Sequence, residues 1–527
     1  MRVLFAWVNR GGPLGMSQGV SILSGELAEA GHEVQIAHYH ERLPGPQTEG
    51  EFARSIAARE PDVVLYSFGT NQAAIARRVA DQVRALAPRV PMMSGGVHST
   101  LTPEEPLSWG SLDYAYVGEA DGRMDELVTR MGRGEDLSEL PNIACMRNGK
   151  MKRNPVGPLP DITKQHEPYW EGLDYRDLAM RTRGVIDVVA GRGCPYRCKY
   201  CHNAGLIDLY RNDLKATVAQ VGFLRTRDPH ALLAECVKYR ELCGEHLKTF
   251  AWGDDQAVMS KPFMRTWAEI YPRALPDVPF AINATLNYID DEVAELLGRA
   301  GCNLVKFGLE SGSPRIRKFL GRPDHKEEVL LGALERLRRH DINTRAYVIV
   351  GTPTETREEL LQTFRFAAKL GLDTVRPSIL FPYPGTPLYD YCVENDLIDH
   401  ELLADVRNYY ERSVLRGFEP DMAVLLARIM DSYPILMNAE LGGEVGEAFA
   451  PLAKIVLEVT EEEWLGGARQ RVLDEQTALN RVLHERKLVF YAVPFPDRPD
   501  ASFLQRPRRR SLVNIDDTPN LTIEAAL

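Results

Sequence analysis

The sequence predicts an α/β protein: a doubly wound, Rossmann-like sheet, then a partial (β/α)6 TIM-like barrel, then a mostly helical C-terminal region. Three observations carry this. Short apolar runs alternate with helical periodicity over residues 1–150, and the alternation resumes from Val185 to Phe381 with six strand candidates. The third is size, because 527 residues exceed one hydrophobic core. Hydrophobic content of 44% with 26% charged residues excludes a disordered or fibrous chain. A net charge of −11 argues against a nucleic-acid partner. No apolar run reaches the roughly 18 residues of a membrane helix, so no membrane partner is expected. The start carries no apolar signal-type core, which points to a protein that is not secreted.

In order, Arg2–Val8 reads as an apolar strand and Ser17–Ala30 as a helix, with Val20, Leu23, Leu27 and Ala30 at helical spacing before Gly31. Val34–His38 is a strand and Phe52–Arg59 a helix. Asp62–Phe68 has the continuous apolar run of a buried parallel strand. Ala73–Leu86 is a helix, Val90–Ser94 a strand ending at Gly95-Gly96, and Tyr114–Val117 a strand ending at Gly118. Ligands of such sheets sit beyond the carboxyl ends of the strands, which singles out Ser67–Thr70, Gly95–Thr100 and Gly118–Ala120. A polar stretch from Asn142 to Pro168, bearing Pro155, Pro158 and Pro160, reads as a separator.

The second set of strands is Val185–Ala190, Thr249–Trp252, Phe280–Asn283, Leu304–Phe307, Ala346–Val350 and Ser378–Phe381. Six strands suit a partial barrel rather than an eight-stranded one. After Asp399 the pattern is helical, as in Met422–Met437, and from about Asp497 the proline- and arginine-rich chain reads as a poorly ordered tail. The expected domains are 1–150, a connector 151–183, a barrel 184–395, a helical region 396–496 and a tail 497–527.

Three of eight cysteines, Cys194, Cys198 and Cys201, stand at C-x3-C-x2-C spacing just after the strand Val185–Ala190. Three thiolates on one loop favour an iron–sulfur cluster. Zinc prefers four ligands in C-x2-C pairs, and no second pair exists, with Cys236 and Cys243 lying in a helical stretch. A 4Fe–4S cluster on three protein ligands leaves one iron open.

This segment resembles the radical S-adenosylmethionine (SAM) superfamily signature C-x3-C-x-aromatic-C, with Tyr200 as the aromatic residue. Further segments resemble the family in order: Trp252-Gly253-Asp254-Asp255, Gly308-Leu309-Glu310-Ser311-Gly312-Ser313, Val350-Gly351-Thr352-Pro353-Thr354-Glu355-Thr356, and Pro382–Tyr389. The resemblance implies a 4Fe–4S cluster on the three cysteines and SAM held by Tyr200, Asp254, Asp255, Glu310, Ser311 and Gly351. Where relatives often place an arginine for the SAM carboxylate, this chain reads Thr285-Leu286-Asn287, leaving Arg345 and Arg376 as alternatives.

The N-terminal unit resembles the cobalamin-binding domain of cobalamin-dependent radical SAM enzymes. The residues behind this are Gly12-Pro13-Leu14-Gly15, Tyr66-Ser67-Phe68-Gly69-Thr70, Ser94-Gly95-Gly96-Val97-His98-Ser99-Thr100 and Gly118-Glu119. The implied cobalamin contacts are Leu14, Gly15, Ser67, Phe68, Thr70, Gly95, Gly96, His98, Ser99, Thr100 and Glu119. The D-x-H-x-x-G motif is missing, with Asp228-Pro229-His230 its nearest approximation, so no histidine is expected on cobalt. His32, His38 and His40 read as surface residues. A dinucleotide site is disfavoured because the first turn lacks G-x-G-x-x-G.

The resemblance implies a methyltransferase that moves methyl from methylcobalamin to an unactivated carbon, or phosphorus, of a small-molecule or natural-product substrate by way of a 5′-deoxyadenosyl radical. The alternative is a non-methylating cyclisation, rearrangement or oxidation on the same cofactors. A cobalamin sensor with an inactive barrel fits poorly with the intact cysteine loop. An external electron donor such as flavodoxin or ferredoxin and a cytoplasmic, reducing location are expected. Tyr409, Tyr410 and Arg412 are candidates for facing substrate, while Cys145, Cys236, Cys243, Cys302 and Cys392 are expected to be dispensable. No catalytic group beyond the cluster is identified.

Overall fold

The computed structural model describes residues 1–12, 14–322, 326–405, 412–486 and 488–491. These residues form two compact units: Met1–Asp255 with Pro382–Tyr391, and Gln256–Phe381 with the described part of Cys392–Ile515.

The first unit begins with strands β1 (Arg2–Val8), β2 (Glu33–Tyr39), β3 (Val63–Phe68), β4 (Met92–Gly95), β5 (Tyr114–Tyr116), β6 (Ile143–Arg147) and β7 (Lys150–Arg153). They order as β2-β1-β3-β4-β5-β6-β7. The first five run parallel, as the short apolar runs predict. Helices Glu49–Ala57 and Ala73–Leu86 cover one face. Phe52, Ile56, Ala76, Val79 and Val83 pack there with Leu4, Ala6, Val8, Val64, Tyr66 and Phe68. Burying each large apolar side chain in that core stabilises by about 1.5–3 kcal/mol. The helix Gln18–Glu29 starts at Ser17, whose hydroxyl accepts from Val20 N at 3.3 Å, and Glu49–Ala57 starts at a Thr48–Glu51 capping box.

The sheet does not end where the polar separator was expected. β6 and β7 add an antiparallel hairpin, turned by Asn148 and Gly149 at φ +52° and +74°. Asn-Gly suits the type I′ turn of a two-residue hairpin, so the signal was present in the sequence. The limit expected at residue 150 falls inside this hairpin.

The unit continues with β8 (Val185–Val188), β9 (Gly191–Arg192), β10 (Arg225–Thr226) and β11 (Thr249–Trp252). β8 and β11 pair in parallel, and β9 and β10 make a two-residue antiparallel ladder.

The second unit carries β12 (Phe280–Asn283), β13 (Cys302–Glu310), β14 (Asn343–Val350) and β15 (Thr374–Ile379), paired in parallel in that order. With β8 and β11 they give the strand–helix repeat of a partial (β/α)6 barrel. Alternation along these strands separates two faces. Ile282, Ala346, Val348, Val350, Val375 and Ile379 are buried, whereas Asn283, Tyr347, Ile349, Arg376 and Ser378 are partly open. β15 starts at Thr374, ahead of the expected Ser378–Phe381, and tolerates Pro377 because it is the edge strand. Helices Pro420–Ala439, Gly443–Glu458 and Arg469–Glu485 come after it. No helix among the described residues is long and apolar enough to cross a membrane.

Candidate active site

The cysteine loop leaves β8 through β9. Gly193, at φ +93°, lies where a Cβ would stand 2.2 Å from the Phe223 carbonyl oxygen, so only glycine fits. Cys201 N donates to Cys198 O at 3.0 Å, and Cys201 is the N-cap of the helix His202–Leu214, whose positive end favours a thiolate. Cys198 is buried, while Cys194 and Cys201 are half-buried. Burial pushes the Cys201 thiol up to about 12, with Asp255, Cys198 and Cys194 adding to the rise. A Cys201 thiolate persists there only beside compensating positive charge, which an iron cluster supplies. Among the described residues no three ligating side chains converge as a single ion requires. A 4Fe–4S cluster takes each thiolate on a different iron, so this spacing fits a cluster rather than one ion.

Asp254 is 3% exposed, and its Oδ2 accepts from Ala190 N at 2.9 Å. Burial pushes its carboxyl up to about 7 against the backbone donations of Ala190 and Gly191. Asp254 therefore braces the exit of β8 into the cysteine loop, and Asp255 beside it is the exposed carboxylate.

On the N-terminal sheet, Ser67 and Gly95 lie in register near the ends of β3 and β4, and a Cβ at Gly95 would meet nothing within 4 Å. Gly96 has φ +92°. The hydroxyls of Ser94 and Ser99 are buried without a hydrogen-bond partner. Orphaned hydroxyls beside open glycine backbone are what a large polar ligand such as cobalamin would satisfy, and these residues fit it. Phe68 is buried with its ring centroid 5.5 Å from that of His98. His98, 2% exposed, has Nδ1 at 3.2 Å from Thr70 Oγ1, and its Nε2 lies 3.3 Å from Glu105 Oε2 without hydrogen-bond geometry. Leu14 and Gly15 are half-buried, a Cβ on Gly15 standing 2.7 Å from Asp187 Oδ2; Pro13 lies outside the described residues.

Three expectations change here. His40 is 1% exposed, donates from Nε2 to Gly12 O at 3.1 Å and accepts Arg42 N at 3.0 Å, so it is a brace under the first loop rather than a surface residue. His38 stacks on Trp7 at 3.8 Å, and burial pushes its imidazole down to about 3. The His32 side chain is 8% exposed, with Nε2 at 2.8 Å from Asp125 Oδ1. Each histidine fell on or beside a strand whose side chains the sequence did not assign to a face.

In the second unit, Glu310 ends β13 at φ +64°, past a register shift between Gly308 and Glu310, with Oε1 3.7 Å from Arg322 Nε. A non-glycine residue held in this left-handed region costs about 1–2 kcal/mol. Ser311 is fully buried, its Oγ 3.1 Å from Thr363 Oγ1 and accepting from Ser313 N at 3.1 Å. Its hydroxyl thus holds the turn. Gly351, at φ +76°, donates its N–H to Glu355 Oε2 at 2.7 Å, and Thr352 N donates to the same oxygen at 3.1 Å. Thr285 N donates to Gln256 Oε1 at 3.1 Å, and Thr285 Oγ1 accepts from Gln256 Nε2 at 2.8 Å. Arg345 is buried and donates to Thr374 Oγ1 at 2.9 Å, whereas Arg376 is half-buried. Arg412 is exposed, and Tyr409 and Tyr410 lie outside the described residues. No sequence signal gave a role to Glu355, although it stands inside the Gly351 motif, nor to Arg192 and Arg225, which no spacing marks.

A family model described as the radical SAM superfamily matches residues 188–367, and one described as the B12 binding domain matches residues 9–128. The chain thus carries a radical SAM domain and a B12 binding domain, and its cofactors are a 4Fe–4S cluster, SAM and cobalamin. It is 26% identical over 391 residues to an uncharacterised methyltransferase of Pyrococcus horikoshii, covering 74% of this chain and 80% of that one. It is 27% identical to a bacteriochlorophyllide d C-12(1)-methyltransferase of Chlorobaculum tepidum (62% of this chain, 65% of that one). It is 24% identical to an anaerobic magnesium-protoporphyrin IX monomethyl ester cyclase of Cereibacter sphaeroides (79% and 66%). The fold is that of TsrM, a radical SAM methyltransferase of Kitasatospora setae solved with tryptophan and a SAM analogue, at TM-score 0.61 and 18% identity over 74% of this chain and 76% of that one. It is also that of OxsB, solved with aqua-cobalamin and SAM, at TM-score 0.63 and 14% identity over 95% and 77%.

Proposed function

We propose that this enzyme transfers a methyl group to an unactivated carbon, or phosphorus, of a small-molecule substrate. The observation that carries this reading is the likeness to a methyltransferase over 74% of the chain, a match longer than either domain. When bound, the cluster with SAM supplies a hydrogen-abstracting radical, and methylcobalamin supplies the methyl group. Cys194, Cys198 and Cys201 hold three irons of the cluster. Tyr200 and Asp255 meet SAM, with Asp254 behind them on the β8 exit. Glu310, on the strained turn that Ser311 secures, and Gly351, on the turn that Glu355 secures, meet the rest of SAM. Leu14, Gly15, Ser67, Phe68, Thr70, Gly95, Gly96, His98, Ser99 and Thr100 form the cobalamin side. Glu119 leaves this set, because its carboxylate is taken by two arginines. An external flavodoxin- or ferredoxin-type donor reduces the cluster, and a reducing cytoplasm keeps the thiols free.

The test is a product count with anaerobically reconstituted enzyme. Methyl transfer yields S-adenosylhomocysteine and 5′-deoxyadenosine together with a methylated product. The cyclase likeness over 79% of the chain supports a second reading, non-methylating chemistry, which yields 5′-deoxyadenosine with no methylated product.

A further inference from the structure

We propose that Glu119 is the hub of a positioning clamp that holds the cysteine loop in place against the cofactor-binding edge of the N-terminal sheet. Its partners are Arg192, Arg225, Asp121 and Tyr210, all within the first unit.

The clamp grips the loop on both flanks. Before it, Arg192 stands two residues ahead of Cys194 and donates from Nη1 to Glu119 Oε2 at 2.6 Å. The same guanidinium meets Asp121 through two bonds, at 2.9 and 2.8 Å, and Gln165 Oε1 at 3.2 Å. After the loop, Tyr210 on the helix His202–Leu214 accepts from Glu119 N at 2.9 Å. Close contact at this point requires glycine, since a Cβ on Gly118 (φ +97°) would stand 2.5 Å from the Tyr210 hydroxyl. One residue thus holds the chain that enters the cysteines and the helix that leaves them.

Arg225 completes the clamp and explains a two-residue ladder that otherwise has little to hold it. β9 and β10 place Arg192 opposite Arg225, a like-charge pair that destabilises a sheet. Glu119 resolves it by accepting from both: Arg225 Nη2 donates to Oε1 at 2.5 Å and Nη1 to Oε2 at 3.1 Å. Two arginines and two carboxylates then balance, with side-chain exposures between 13% and 24%. Charges this far from water are costly unless paired and hydrogen-bonded, so removing one member leaves the others unmatched. The planar fork matters, because the guanidinium of Arg192 grips Asp121 through two parallel bonds while also reaching Glu119, a bidentate geometry that the single nitrogen of a lysine does not reproduce.

On the sheet side, Gly118 N donates to Thr100 Oγ1 at 3.0 Å, and Thr100 closes the segment Gly95–Thr100. A short covalent and hydrogen-bonded route therefore runs from that segment through Gly118 and Glu119 to Arg192 and the cysteines. Glu119, Arg192 and Arg225 are positioning residues; none is assigned a contact with substrate. The inference depends on the two cofactors being present and not on methyl transfer, so it survives if the second reading of the function is correct.

The test uses full-length enzyme reconstituted with iron, sulfide and cobalamin, comparing wild type with Glu119→Gln, Arg192→Gln and Arg192→Lys. Arg84→Gln, which breaks an ion pair between the helix Ala73–Leu86 and Asp113 just before β5, serves as control. Iron and cobalamin contents are measured first. In a sample holding both the reduced cluster and cob(II)alamin, electron-spin relaxation of the cobalt signal then reports its spacing from the cluster. The expected result is near-normal loading of both cofactors, with relaxation enhancement several-fold weaker or broadly distributed in Glu119→Gln and Arg192→Gln, partly restored in Arg192→Lys and unchanged in Arg84→Gln. Wild-type relaxation in fully loaded Glu119→Gln and Arg192→Gln overturns the proposal. So does loss of cobalamin alone from Glu119→Gln, which makes Glu119 a cofactor ligand. Failure of both variants to load either cofactor also overturns it, because the network is then a folding element only.

Discussion

The three cysteines and the residues that brace their loop divide the chemistry of the site sharply. Cys194, Cys198 and Cys201 share one loop, whereas Cys145, Cys236, Cys243, Cys302 and Cys392 are all buried elsewhere. Burial raises the Cys236 and Cys243 thiols above the ordinary range, which makes them inert packing groups. Alanine at any one of the three loop positions should abolish 5′-deoxyadenosine formation, while serine at Cys236 or Cys243 should leave it intact; chromatography of the reduced reaction separates the two outcomes. Glu355 supports a different expectation. Burial pushes its carboxyl up to about 8 from 4.5, outweighing the two amide donations it accepts. A folded-state value raised above the unfolded one means the fold binds that proton more tightly. Its contribution is complete below about pH 4.5 and is lost as pH rises through about 8. Glu355→Gln keeps an acceptor for Gly351 and Thr352 and should flatten this slope, read as the change in urea midpoint between about pH 5 and about pH 8.5. A slope equal to wild type would refute the assignment.

At the level of elements, two glycines of similar φ contrast. Gly149 turns the β6–β7 hairpin at φ +74° with open space around its Cα, so Gly149→Ala should cost only the backbone strain, about 1–2 kcal/mol. Gly193 has φ +93° and the Phe223 carbonyl at 2.2 Å from a built Cβ, and backbone cannot swing aside as a side chain can. Gly193→Ala should therefore fail to take up iron while still binding cobalamin, measured by iron assay and visible absorption on one sample. Equal iron in variant and wild type would show that the loop has more freedom than its contacts allow. The parallel strands were legible because a run such as Val63–Phe68 has no polar face to mistake. β6 and β7 were not, since the apolar run of β6 is only four residues long, β7 is largely charged, and the Asn148-Gly149 turn is the signal that joins them. Arg357 and Arg428 show the same limit. Both donate to the last carbonyls of Gly443–Glu458, at Leu457 and Val456, across distances no local pattern encodes.

For the enzyme as a unit, the proposed methyl transfer predicts two SAM molecules per turnover, one cleaved to 5′-deoxyadenosine and one demethylated to S-adenosylhomocysteine. Isotope-labelled SAM counts them, and 5′-deoxyadenosine alone would leave the non-methylating reading. Spectra of cob(II)alamin in the reconstituted enzyme should show no nitrogen coupling from His98, whose Nδ1 is engaged with Thr70 and whose Nε2 lies beside Glu105. A nitrogen superhyperfine pattern lost in His98→Ala would contradict this. The order of the domains, the cysteine loop and the motifs that close the barrel strands could all be read from the chain before it folds. Each of these is written in contiguous residues, where spacing and hydrophobic period express themselves directly. Folding alone settled that Glu119 faces two arginines, that Asp254 braces β8, that His40 is buried and that His38 is half-buried against Trp7. Those outcomes depend on pairings between residues tens of positions apart, Glu119 with Arg192 and Arg225 above all. A charged or imidazole side chain has the same local sequence signature whether it meets solvent, a ligand or a distant partner.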